Sequence, residues 1–201
     1  DNAAAPGSYL LTDDELSMLK MVTKHFNKTV VVLNVSNIID MSWADDASYV
    51  HPISSIIYSW HGGMEGGNAI ADVLVGDVTP SGKLTDTIAY SIEDYPSTAN
   101  YGNEFKNVYQ EDIYVGYRYF ETFCPDKVQF EFGYGLSYTE FSIEPEEAKS
   151  FEKDGSVWLE VGAKVTNIGD IYSGKEVVQV YVEAPQGKLG KPVKVLAGFA
   201  K

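Results

Sequence analysis

The stretch Trp60–Leu84, WHGGMEGGNAIADVLVGDVTPSGKL, most constrains what this chain can fold into. Ile57, Tyr58 and Trp60 close an apolar run, and a glycine-rich turn containing Glu65 follows. Ile70, Val73 and Leu74 then recur at helical spacing. Gly76 stands where a helix C-terminus favours a residue of positive φ, because glycine has no Cβ to clash there. Pro80 and Gly82 mark a tight turn before the next extended run at Leu84. Strand, turn, helix, turn and strand in this order form the building unit of an α/β layer.

The flanking segments extend that unit. Thr12 and Glu15 have the spacing of a capping box, and Leu16, Leu19, Val22 and Phe26 predict a helix to about residue 26 with one apolar face. TVVVLNV, Thr29–Val35, is apolar almost without alternation, as expected of a parallel strand buried on both faces. Ile53–Trp60 and Leu84–Tyr90 read as two further strands, and the helix over Asn68–Val75 is expected to pack on the first two. Three strands are few for such a sheet, whose usual count is about 4–6. Ser91–Tyr138 is rich in tyrosine and shows few periods, so it reads as a long connection packed on a neighbouring domain.

From Ser156 the period changes to two. Val157, Leu159, Val161, Ala163 and Val165 point one way, Val178, Val180 and Val182 repeat the pattern, and Val193–Phe199 is a further candidate strand. Asn167, Gly169, Asp170 and Gly174 supply turn chemistry between the first two. The fold class expected is therefore a partial α/β/α sandwich with mostly parallel strands, followed by a partial all-β, immunoglobulin-like sandwich. The expected division is residues 1–95, a connecting region 96–150, and 151–201. An immunoglobulin-like sandwich needs about seven strands. Both units are incomplete by their own logic, so the chain is expected to be a piece of a longer polypeptide.

A formal net charge of −14 disfavours nucleic acid and anionic membrane surfaces as partners. No run approaches the ~18 apolar residues of a membrane span. No signal peptide is visible at the N-terminus. Cys124 is the single cysteine, which excludes an internal disulfide framework and slightly favours a reducing, cytoplasmic location. His51 and His61 are too far apart and too poor in partners to suggest zinc, so no metal is expected. GGMEGGNAIA lacks both the Gly-Lys-Ser/Thr ending of a phosphate loop and the dinucleotide spacing, so no cofactor is expected either.

Four blocks, in order, carry a family resemblance. They are the glycine turn with GNAIADVL and GDVTPSGKL, EDIYVGYRYFE at Glu111–Glu121, FEFGYGLSYTEF at Phe130–Phe141, and VTNIGDIYSGKEVVQVYV at Val165–Val182. In these the chain resembles the second domain, and part of the fibronectin-III-like domain, of family 3 glycoside hydrolases, the group that includes many β-glucosidases. The resemblance implies a fragment or subunit of a retaining β-glycosidase that removes terminal β-D-glucosyl residues by double displacement. A β-xyloside or α-arabinoside is the alternative substrate. It implies a nucleophilic Asp in a (β/α)₈ barrel outside this chain, and an acid/base Glu on a loop just before the segment matching Asp1 and Asn2. The chain alone is then expected to be inactive. Its partners would be the rest of the same enzyme, a carbohydrate, and a second copy if the enzyme is a homo-oligomer. The domain order of the parent is left open.

Within the chain, Glu65 and His61 are the candidate substrate-binding residues, and Glu65 is the one candidate for a catalytic carboxylate. A plainer reading has Glu65 accepting hydrogen bonds from turn amides or the adjacent helix N-terminus. Trp43, Trp60 and the tyrosines could stack on sugar faces or fill a domain contact. Arg118, among Tyr117, Tyr119 and Glu121, suits a buried ion pair or a cation–π contact. The competing function is a non-catalytic carbohydrate-binding or assembly module.

Overall fold

The computed structural model describes residues 5–201. Asp1–Ser8 is small and polar and reads as loop from the sequence; residues 1–4 of it lie outside the described residues. Helix α1 spans Asp13–His25 and opens on the expected capping box. The Thr12 hydroxyl accepts from the Glu15 backbone N–H at 3.3 Å, and the Glu15 carboxylate accepts from the Thr12 N–H at 2.8 Å. Asp13, Asp14 and Glu15 in the first turn and Lys24 and His25 in the last complement the helix dipole.

Strands β1 (Val30–Leu33) and β2 (Ser55–Tyr58) pair in parallel, from Val30 opposite Ser55 to Leu33 opposite Tyr58. Alternation sends Val31, Leu33, Ile56 and Tyr58 to one face, where they meet Leu19 of α1, Ile39, Met41, Trp43 and Ile88 in the core. The other face is open. Val30 and Val32 are 46% and 37% exposed, so a strand expected to be buried on both sides is covered here on one. Helix α2 (Gly66–Val75) adds no residue to the core and buries none of its own. A tie on α2 comes from further along the chain instead, where the Tyr138 hydroxyl donates to the Val73 carbonyl at 2.7 Å.

The third expected strand shrinks to β3 (Ile88–Ala89), which pairs antiparallel with β4 (Val128–Phe130) and not with β2. Ile88 and Ala89 are almost fully buried. The tyrosine-rich region is more ordered than its lack of period suggested. It holds α3 (Tyr117–Phe123) and β4, each too short to leave a periodic trace.

The run Val157–Val165 is not one strand. It divides into β7 (Ser156–Glu160) and β8 (Ala163–Asn167), which pair with β6 (Lys149–Lys153) and β5 (Phe141–Pro145) respectively. The turn Asp154–Gly155 has φ of 53° and 75°, the positive values that an Asp-Gly hairpin turn requires. Between the Glu146–Gly162 bond and the Lys149–Glu160 pair, the first arm advances three residues and the second two, which makes a β-bulge. Strand β9 (Val178–Val182) pairs with β10 (Val195–Ala200) and not with β8, so the turn residues Asn167–Gly174 do not close a hairpin. Val157 and Leu159 remain 72% and 64% exposed.

Candidate functional site

A cleft of about 800 Å³ opens beyond the carboxyl end of β1. Ligands collect at this end in α/β layers, because strands stop there and loops diverge. One wall is the chain leaving β1, Asn34–Ile39. The others come from Ser8 and Tyr9, from His61 after β2, and from Ile92–Tyr101.

Three phenols organise the cleft. The Tyr95 hydroxyl donates to the Thr87 carbonyl at 3.0 Å and accepts from the Ala89 N–H at 2.9 Å, which ties the cleft floor to β3. Burial raises its pKa. Tyr58 donates to the Asn37 carbonyl at 2.6 Å, and burial pushes it up to about 12. Tyr9 is 9% exposed and its hydroxyl is buried without a hydrogen-bond partner among the described residues. Burial first, then the neighbouring Tyr95 and Asp40, hold it far above the ordinary phenol range. At neutral pH all three are uncharged O–H groups.

His61 lines the cleft, is exposed, and has no protein hydrogen bond among the described residues. It follows Trp60, whose φ of 53° is unusual for a bulky side chain and costs roughly 1–3 kcal/mol. The Trp60 ring lies 4.5 Å from that of Tyr58. Beyond His61 the turn closes on itself, and a Cβ at Gly62 would come within 2.8 Å of the Gly66 Cα, so only glycine fits.

Glu65 stands outside the residues lining the cleft. It is the exposed N-cap residue of α2, yet its side chain makes no capping bond to the helix amides. Its carboxylate accepts from the Asn68 side-chain amide. The structure therefore brings His61 to the cleft and leaves Glu65 on the turn beside it. Trp43 is 4% exposed in the core, with its indole N–H donating to the Asp40 carbonyl at 2.7 Å, so it offers no face to a sugar. The Arg118 guanidinium sits 5.8 Å over the Tyr117 ring, the cation–π arrangement expected of it. Sequence reasoning passed over Tyr9 and Asn37. Both lie in irregular segments, where no period or spacing marks them.

The motif blocks that carry the resemblance converge elsewhere, on the joint between the α/β and β units. Lys83 of GDVTPSGKL lies 2.9 Å from Glu176 of GKEVVQVY and donates to the Gly135 carbonyl of FGYGLSY at 2.7 Å. Gly135 packs so closely that a Cβ would clash with the Gly82 carbonyl oxygen. Tyr117 of EDIYVGYRYFE stacks on Phe132 at 4.8 Å, and its hydroxyl accepts from the Leu196 N–H at 2.7 Å. Burial alone would raise the Glu176 pKa. The bonds from Lys83 and the Val177 N–H, with the charges of Lys83 and Lys201, outweigh burial and leave it lowered. Among the described residues no group of three or more His, Cys, Asp or Glu is placed to hold a metal ion. Among the described residues no helix is long and apolar enough to cross a membrane.

Residues 7–138 match the glycosyl hydrolase family 3 C-terminal domain, and residues 176–201 match the fibronectin type III-like domain. A β-glucosidase of Ruminococcus albus is 54% identical over 201 residues, all of this chain and 20% of the relative. β-Glucosidase A of Butyrivibrio fibrisolvens is 48% identical over 211 residues, 97% of this chain and 25% of the relative. Among solved structures, a β-glucosidase from Paenibacillus barengoltzii superposes with a TM-score of 0.95 at 58% identity, covering 100% of this chain and 22% of that one. β-Glucosidase 3B from Thermotoga neapolitana, solved with glycerol, gives 0.83 at 38% identity over 98% of this chain and 27% of that one. The chain spans about a fifth to a quarter of the length of these relatives.

Proposed function

The chain belongs to glycoside hydrolase family 3, and on that premise we propose that it is the C-terminal part of a retaining β-glucosidase. The observation that carries this reading is the 54% identity along the whole chain to the Ruminococcus albus β-glucosidase. The remaining length supplies a (β/α)₈ barrel with the nucleophilic carboxylate, and a loop ahead of this chain carries the acid/base carboxyl group. The nucleophile attacks the anomeric carbon while the acid protonates the leaving oxygen, and water then releases the glycosyl-enzyme by the reverse roles. The cleft at the carboxyl end of β1 forms part of the wall around the sugar. The polar side chains of Ser8, Asn37 and Ser97 and the His61 imidazole, all lining the cleft, suit the hydroxyl groups of a neutral carbohydrate. The joint at Lys83 and Glu176 keeps the fibronectin-like unit in register with that wall.

The test is hydrolysis of an aryl β-glucoside by the full-length protein, with product anomer followed by NMR. Turnover with retention, at a higher rate than on the β-xyloside or α-arabinoside, supports the reading. Sugar binding without cleavage would favour the carbohydrate-binding alternative. A cytoplasmic location accompanies the proposal, supported by the single cysteine. Secretion of the full-length protein would refute that part.

A further inference from the structure

We infer that Trp60 is a positioning residue whose reversed backbone delivers His61 to the cleft as a hydrogen-bonding group for a sugar hydroxyl. This rests on the cleft holding a sugar, as in the preceding reading. The first observation is the left-handed backbone at Trp60, φ 53°. Glycine adopts such a conformation freely, whereas a bulky side chain does so only where its surroundings impose it. Trp60 is half-buried and outside the core cluster, so core packing does not account for the strain.

The second observation is what holds Trp60. Just before it, the Ser59 N–H and hydroxyl both donate to the Leu33 carbonyl, at 2.9 and 2.8 Å, pinning the end of β2 to β1. The Trp60 ring lies against Tyr58, and the Tyr58 hydroxyl holds the carbonyl of Asn37, another residue lining the cleft. Just after it, the Gly62–Gly66 contact closes the turn. His61 is thus the one residue between two locked points. Its imidazole reaches the cleft and finds no protein partner among the described residues. Strain of this kind persists where the surrounding structure over-determines it, and clusters at ligand sites. An extended Trp60 would send the chain onward along β2 and turn His61 away from the cleft.

The experiment is a double-mutant cycle in the full-length protein, with glucose affinity read by titration calorimetry. Trp60→Gly removes the ring and lets the backbone relax, and His61→Ala removes the imidazole. Each change alone is expected to weaken glucose binding about three- to tenfold, the worth of one hydrogen bond. The double variant should be no weaker than either single, and Trp60→Phe, which keeps a ring against Tyr58, should stay within about twofold of the parent. A merely structural Trp60 would give the same loss whether or not His61 is present. Additive losses, or an unchanged affinity in His61→Ala, would overturn the inference. If Trp60→Gly does not fold, Trp60→Leu takes its place in the cycle, with the same outcomes. Hydrolysis is assayed in parallel. Non-additive binding losses without turnover would refute the β-glucosidase reading and support this one, and turnover with additive losses would do the reverse.

Discussion

Replacing Lys83 by methionine should loosen the joint between the two units. The Lys83 ammonium and Glu176 carboxylate are 2.9 Å apart, with only 18% and 14% of their side chains exposed. Lys83→Met leaves Glu176 with its bond from the Val177 N–H and without its nearest cation. It also frees the Gly135 carbonyl. Removing one partner of a largely buried pair costs about 3–5 kcal/mol, and we take the lower end because neither group is fully enclosed. At roughly 2–4 °C per kcal/mol for a unit of this size, the transition should fall by about 6–12 °C. The double change Lys83→Met with Glu176→Gln should cost less than the two single changes combined, since it leaves no unpaired charge. The pH dependence follows from the lowered Glu176 pKa. A carboxyl held below its unfolded value of about 4.3 contributes stability that is complete above that pH. That stability is lost as pH falls through the folded pKa, so the difference between parent and Glu176→Gln should shrink below about pH 4. The assay is thermal unfolding of the full-length protein and the three variants between pH 3 and pH 7. Additive single effects, or a difference that does not change with pH, would refute the reasoning.

Three further outcomes are expected. Gly135→Ala drives a methyl group onto the Gly82 carbonyl oxygen and should destabilise by about 1–3 kcal/mol, seen as a lower melting temperature. Thr12→Ala removes the capping box of α1 and should cost about 1 kcal/mol, with faster amide exchange confined to the first turn of that helix. Glu65→Gln keeps an acceptor for Asn68 and should lower hydrolysis only modestly. A loss of about 10²–10⁴-fold that recovers on substrates with good leaving groups would instead make Glu65 the general acid.

Much of the fold is legible before any coordinates. The capping box at Thr12 and Glu15 announces α1 because its partners are three residues apart, and the apolar run at Val30–Leu33 announces a parallel strand. Gly76, with φ 86°, ends α2 where the sequence places it. These are local facts, set by hydrogen bonds and backbone sterics within a few residues. The choice of partner is not local. Val157–Val165 reads as one strand because alternation is continuous, yet two different partners and a bulge divide it. The sequence around Leu84–Tyr90 likewise does not reveal that Ile88 pairs with Phe130, forty-two residues later in numbering.

The candidate site divides in the same way. His61 is visible in the sequence as a histidine beside a glycine turn, and the resemblance of the four blocks is enough to name the family. That three of those blocks meet at Lys83, Gly135 and Glu176, away from the cleft, is decided by tertiary packing alone. So are the Tyr9 hydroxyl within the cleft wall and the left-handed Trp60 that precedes His61. The physical reason is one of range. Propensity, capping and periodicity act over a few residues and are written in the order of the chain. Burial, strain and the convergence of distant side chains depend on which surfaces meet, and that is settled only when the whole chain packs.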